Sequence, residues 1–159
     1  MPDFSGRLRA SGRVAILVSR YNELITTKLL EGALACCQEA GISRDDIDVV
    51  WLPGAFELPV AAAAAAKTRG YACLVALGAV IRGETPHFEY VAGETARGLG
   101  DVAVQYALPI GFGVLTVETI QQAVDRAGGV AGNKGHEAAA AALRAADALA
   151  QLRRHHAQD

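Results

Sequence analysis

The run LGAVIRGETPHFEY at 77–90 carries the strongest chemical signal in the chain. Residues 72–81 are apolar and β-prone, interrupted only by Gly78, and read as a buried strand. Arg82, Gly83 and Glu84 then turn polar. Thr85 followed by Pro86 reads as a helix start, Thr at the N-cap and Pro at the first helical position. A strand that runs into a helix N-terminus presents unpaired backbone N–H groups, which favour anions and phosphate especially. His87 follows directly, a side chain able to carry protons near neutral pH. It is either a proton carrier or a plain helix-start histidine. The Glu84 carboxylate would repel a phosphate. An anion there therefore needs the backbone N–H groups of Glu84 and Thr85, with the Glu84 side chain turned away.

Other residues admit a chemical and a structural reading side by side. Arg126, in the last turn of its helix, either complements the helix C-terminus or serves as a forked donor for phosphate. Lys134, in AGNKG, is a solvated loop lysine, an anion contact or a Schiff-base amine. Phe56 and Phe112 are core residues by default, and either could instead stack on a planar heterocycle. Tyr21, beside a strand end, is the better stacking candidate because it should sit at a sheet edge. Glu57 is a first-turn acid favoured by the helix dipole, or an acceptor for a ligand N–H. The GxG at 111–113 lies within a strand and lacks the rest of a dinucleotide fingerprint.

The elements that must hold these residues alternate along the chain. Residues 1–12 read as a flexible arm and 13–159 as a single domain. Strands are expected at 13–19, 47–52, 72–81 and 109–117. The first helix carries Leu30, Ala33, Leu34 and Cys37 at helical spacing and closes at Gly41. The second opens at Glu57-Leu58-Pro59, contains alanines 61–66 and ends at Gly70. In the third, Val91, Thr95, Leu99, Val102 and Tyr106 form a stripe, while Gly93, Gly98 and Gly100 suggest close backbone approach or a weak helix. Thr119 and Gln122 make a capping box for a fourth helix, which stops at Gly128. The loop GGVAGNKG leads to a last Ala-rich helix from about His136 to Leu152. Alternation of this kind implies a parallel four-stranded sheet with helices on both faces, a three-layer α/β fold. Ligands bind such sheets beyond the carboxyl ends of the strands. Tyr21-Asn22, residues 54–57 and residues 82–87 should therefore share one edge.

The composition narrows the partners. A formal charge of −2 argues against nucleic acid and acidic membranes, and no apolar run is long enough to span a bilayer. Residues 1–12 lack the apolar core of a secretory signal. Three cysteines without a CxxC fit reduced thiols and a cytoplasmic protein, with Cys36 and Cys37 as packing residues. The apolar fraction of 52%, much of it alanine, points to surface buried against copies of the same chain.

Five stretches together resemble the lumazine synthase family of riboflavin biosynthesis. They are RYNELITTKLLEGA (20–33), WLPGAFELPVAA (51–62), ALGAVIRGETPHFEYV (76–91), PIGFGVLTVET (109–119) and RAGGVAGNKGHEAA (126–139). The resemblance implies condensation of 5-amino-6-(D-ribitylamino)uracil with 3,4-dihydroxy-2-butanone 4-phosphate to 6,7-dimethyl-8-ribityllumazine, with no metal or organic cofactor. It implies a flavodoxin-like topology and small-molecule substrates. Tyr21, with Asn22 beside it, is similar to the aromatic position that stacks on the pyrimidine. Ala55, Phe56 and Glu57 resemble the segment that contacts the pyrimidine and ribityl chain, and Ala79, Val80 and Ile81 the strand end lining the same pocket. Glu84 and Thr85 match the phosphate turn and His87 the proton donor. Phe112, Arg126 and Lys134 match residues supplied by a neighbouring subunit, Arg126 holding phosphate. The family forms pentamers, and in some members twelve pentamers close into a sixty-subunit shell. The short 128–135 link leans toward the shell.

Two other classes predict different behaviour. A non-catalytic paralogue would bind a flavin or lumazine without turnover. A flavodoxin-like FMN protein would be yellow and exchange electrons.

Overall fold

Two central strands carry the fold. In the computed structural model, which describes residues 1–158, β1 (Val14–Ser19) is buried along its whole length and β3 (Cys73–Ile81) at all but its last residue. A strand with an element against each face has no polar side to show, so its residues are apolar without alternation. The flanking strands stand at the edges: β2 (Ile47–Leu52) has no fully buried residue, and β4 (Ile110–Val117) leaves Phe112 and Thr116 exposed. The order is β2-β1-β3-β4 and every pairing is parallel.

Side-chain period two splits the sheet residues between two cores. Val14, Ile16, Val18, Val75, Leu77 and Leu115 face a layer built by α1 (Glu23–Glu39), α4 (Ile120–Arg126) and α5 (Lys134–Ala157). Ala15, Leu17, Leu74, Ala76 and Val114 face α2 (Leu58–Lys67) and α3 (His87–Tyr106). The result is the three-layer α/β fold that the alternation of elements implied, with the flavodoxin-like strand order that the resemblance implied. Cys36, Cys37 and Cys73 are free and fully buried, as packing residues should be. Desolvation pushes the Cys37 thiol up to about 11 and the Cys73 thiol to about 12, which keeps both protonated and inert.

Several boundaries differ from the expectation, each for a local reason. Helix α3 begins at His87, not with Thr85 as N-cap. The carbonyl of Pro86 accepts the first turn's bond from Glu89 N–H at 3.1 Å, and no side chain caps the start. Helix α5 begins at Lys134 because Asn133 Oδ1 accepts from the N–H groups of Gly135 (2.9 Å) and His136 (3.2 Å). The stretch read as a loop before it folds into a two-stranded hairpin, β5 (Ala127–Gly129) and β6 (Gly132–Asn133). At the end of α2 the left-handed residue is Arg69, one position before the expected Gly70. The capping box of α4 forms as expected, with Thr119 Oγ1 accepting from Gln122 N–H at 3.2 Å and Gln122 Oε1 from Thr119 N–H at 3.4 Å.

The arm at 1–12 has no helix or strand and lies along α5. There Asp147, fully buried, accepts from the Arg7 N–H at 2.8 Å and from Gln151 Nε2 at 2.9 Å, and pairs with Arg9 Nε at 2.8 Å. These donors hold the Asp147 carboxyl below the usual carboxylate range, the Arg7 N–H foremost.

Candidate functional site

The segments expected at one edge meet at the carboxyl ends of the strands. The chain leaving β1 is laid against the end of β2, Arg20 N–H bonding Leu52 O at 2.8 Å and Tyr21 N–H bonding Pro53 O at 2.9 Å. Asn22 adopts the left-handed conformation (φ 62), which asparagine tolerates better than most residues. Its Nδ2 donates to Ala79 O at 3.1 Å and so ties the turn after β1 to the end of β3. Ala55, Phe56 and Glu57 form a short 3-10 turn ahead of α2, closed by Gly54 N–H donating to Glu57 Oε1 at 3.1 Å. Glu57 thus performs its structural role through one oxygen of its carboxylate.

Exposure sorts these residues. Tyr21 is 73% exposed, Phe56 60% and Phe112 41%. The default core reading of Phe56 and Phe112 is therefore wrong for the single chain. Ala55 in the 3-10 turn and Leu58 at the start of α2 are the residues that bury, and Phe56 is turned out. Phe112 stands on edge strand β4, opposite Ala76, on the face covered by α2 and α3, and remains partly uncovered. Three accessible aromatic faces in a small domain need an occupant more than a core aromatic does. Ala79 and Val80 are buried and Ile81 half-buried, so the end of β3 offers mainly backbone.

Glu84, Thr85 and His87 are all exposed in the turn leading into α3. The first N–H groups of α3 have no intrahelical partners, so an anion can approach them. The two arginines beside this edge are committed elsewhere. Arg20 pairs with Glu23 at 2.8 Å and lies over the Trp51 ring, and Arg82 pairs with both Glu89 and Glu118. Arg82 holds the Glu89 carboxyl below the usual range, and the pairing raises the Arg82 guanidinium in turn.

Arg126 and Lys134 are not part of this cluster. Arg126 ends α4, on the α1/α5 side of the sheet. Its Nη1 donates to Gln122 O at 3.1 Å, the helix-end contact of the structural reading, and it has no carboxylate partner among the described residues. Lys134 is exposed at the first turn of α5. Among the described residues no group of three or more His, Cys, Asp or Glu is gathered as a metal site would require, and no helix is long and apolar enough to cross a membrane. Sequence reasoning missed the organising part of Arg82. Its two partners lie 7 and 36 positions away, so no local pattern could show it.

A parallel α/β sheet with exposed aromatics, an anion-friendly turn and a histidine at its carboxyl edge defines an enzyme domain for small-molecule substrates. Residues 11–150 match the family model of 6,7-dimethyl-8-ribityllumazine synthase, and the chain belongs to that family. It is an enzyme of the condensation step in riboflavin biosynthesis.

Proposed function

We propose that the site works only when two copies of this chain meet. The observation that carries this is the division of groups within one chain. The turn at 84–87 and the aromatics Tyr21 and Phe56 stand at the carboxyl edge, where both nearby arginines are ion-paired, while Arg126, without a carboxylate partner among the described residues, ends α4 on the α1/α5 side of the sheet. A phosphate dianion needs a cation as well as N–H groups. A neighbouring copy supplies it as Arg126, together with Phe112 and Lys134.

In this reading Tyr21 and Asn22, residues 55–57 and the end of β3 hold 5-amino-6-(D-ribitylamino)uracil. The N–H groups of Glu84 and Thr85, with the neighbour's Arg126, hold the phosphate of 3,4-dihydroxy-2-butanone 4-phosphate. The ring amine attacks the ketone and water leaves to give an imine. Loss of the proton at C3 expels phosphate from C4, the resulting enol tautomerises to a ketone at C3, and the ribitylamine nitrogen attacks that ketone, closing the ring with loss of a second water. His87 moves protons in these steps. Orienting two substrates accounts for much of the acceleration.

The surface supports a ring. Among the exposed apolar side chains are two groups on unlike faces: Val60 and Val104 on α2 and α3, Ile120, Val124 and Val130 on α4 and the hairpin. Unlike faces that complement one another make head-to-tail contacts, and these form a ring where the rotation between copies closes. We take the assembly to be the pentamer, and the short 128–135 link favours its closure into the sixty-subunit shell. The test pairs the mass of the assembly with an assay supplying both substrates. Lumazine fluorescence from a ring supports the reading, and turnover by a lone subunit overturns it. Binding of a lumazine without turnover would instead mark the non-catalytic alternative.

A further inference from the structure

We propose that Arg82 is a positioning residue that couples the His87 turn of one site to the Arg126 that the same chain lends to the next; this rests on the shared-site reading above. Arg82 follows β3, with its N–H bonded to Val117 O at 2.9 Å. From there its guanidinium reaches two other elements. Nη1 pairs with Glu89 in the first turn of α3, and Nε lies 2.7 Å from Glu118 Oε2 at the junction of β4 and α4. Cζ sits 4.3 Å above the Phe88 ring, next to His87 in sequence.

The contacts continue beyond Glu118. Its N–H donates to Gln122 Oε1 at 2.7 Å, and the Gln122 carbonyl accepts from Arg126 Nη1 at 3.1 Å. A contiguous series of polar contacts therefore runs from the first turn of α3 to the Arg126 guanidinium. Two carboxylates against one guanidinium leave a net negative cluster, so Arg82 cannot itself hold phosphate. Isolated surface ion pairs contribute little to stability. What distinguishes this one is that a single rigid fork joins three segments that are distant in sequence, a task lysine cannot perform. Without it, the turn carrying His87 and the base of α4 are free to drift relative to one another.

Steady-state kinetics on the intact assembly, with each substrate varied separately, test this. Arg82→Met keeps the apolar stem over Phe88 and removes the donors. It should lower kcat/KM for the phosphorylated ketone about tenfold, the scale of a small misplacement of catalytic groups. The KM for the pyrimidine amine should change by less than about twofold. Glu118→Gln, which keeps the shape and removes the charge, should act in the same direction and decides the matter if Arg82→Met does not fold. In an Arg126→Ala background the Arg82→Met penalty should shrink by at least about threefold, because the two act on one interaction. Arg97→Met, which removes an arginine ion-paired to Glu94 and Asp101 on the same helix, should leave the kinetics unchanged. Wild-type kinetics for Arg82→Met, a parallel rise in the KM for the pyrimidine, or an undiminished penalty in the Arg126→Ala background would each overturn the inference. Failure of the underlying functional reading is separately visible, as an unaltered protein that makes no lumazine.

Discussion

The two faces of the sheet are built by different rules. On the α1/α5 face the backbones nearly touch. A Cβ on Gly135 would lie 2.0 Å from Leu29 O, and one on Gly111 would lie 2.2 Å from Ala138 O. Leu29, Ala139 and Leu143 are sealed between the helices and the sheet. On the α2/α3 face the short alanine-rich α2 lies beside α3, and their outer sides show Val60 and Val104 to solvent. The same face leaves Phe112 partly uncovered on β4. The first face is closed at its centre, although α4 and the hairpin at its rim still show Ile120, Val124 and Val130. The other has apolar surface left over, which is what an association surface requires.

The largest effect should come from the closed centre of the first face. Gly135→Val places carbon where the Leu29 carbonyl already is, and should prevent folding or lower unfolding free energy by more than about 3 kcal/mol. Leu143→Ala should cost about 2–5 kcal/mol in denaturant titrations, as for other sealed leucines. If either left stability unchanged, the contrast between the faces would fail. Next should come Val104→Glu on the other face. It should spare the fold by circular dichroism but reduce the assembly mass, and with it the turnover. Arg126→Ala should then keep both fold and mass while raising the KM for the phosphorylated ketone about tenfold or more, consistent with loss of a charge-assisted contact. His87→Ala should give a partial loss of kcat, of the size expected when one proton-transfer group is removed.

A smaller effect concerns the arm at 1–12. Because the folded Asp147 carboxyl is held below its unfolded value, its contribution to stability is complete above the unfolded pKa. That contribution is lost as pH falls through the lowered folded value. Asp147→Asn should therefore speed amide exchange at residues 5–9 at neutral pH and flatten its acid dependence. The smallest contrast lies within α3. A Cβ on Gly98 would lie 2.7 Å from Pro59, whereas one on Gly100 meets nothing within 4 Å. Gly98→Ala should destabilise, and Gly100→Ala should stabilise by up to about 1 kcal/mol in thermal melts. The glycines of this helix thus divide between close approach at Gly98 and open surface at Gly93 and Gly100.

Much of this architecture was legible before any coordinates. The apolar runs of β1 and β3 are too continuous for edge strands, and Thr119 with Gln122 marks a helix start by chemistry that acts over three residues. What escaped were features decided at longer range. Thr85 looks like an N-cap, but Pro86 takes that place through its carbonyl. Asn133 sits within a glycine-rich stretch that reads as a loop, yet it caps α5, which starts two residues before His136, and closes a short hairpin. Phe56 and Phe112 look like core because aromatic side chains usually are. Only the placement of their neighbours showed that Ala55 and Leu58 bury in one case and that the helical layer leaves β4 partly bare in the other.

Periodicity and turn chemistry act between residues close along the chain, so the order of elements, the parallel sheet and the edge at which the polar segments gather are all readable from the residues alone. Folding settled that Arg82 is bound to Glu89 and Glu118, that Asp147 is sealed beneath the arm and that Arg126 turns back onto the Gln122 carbonyl of its own helix. The first two of those facts depend on distances between segments far apart in the chain, which no local pattern encodes.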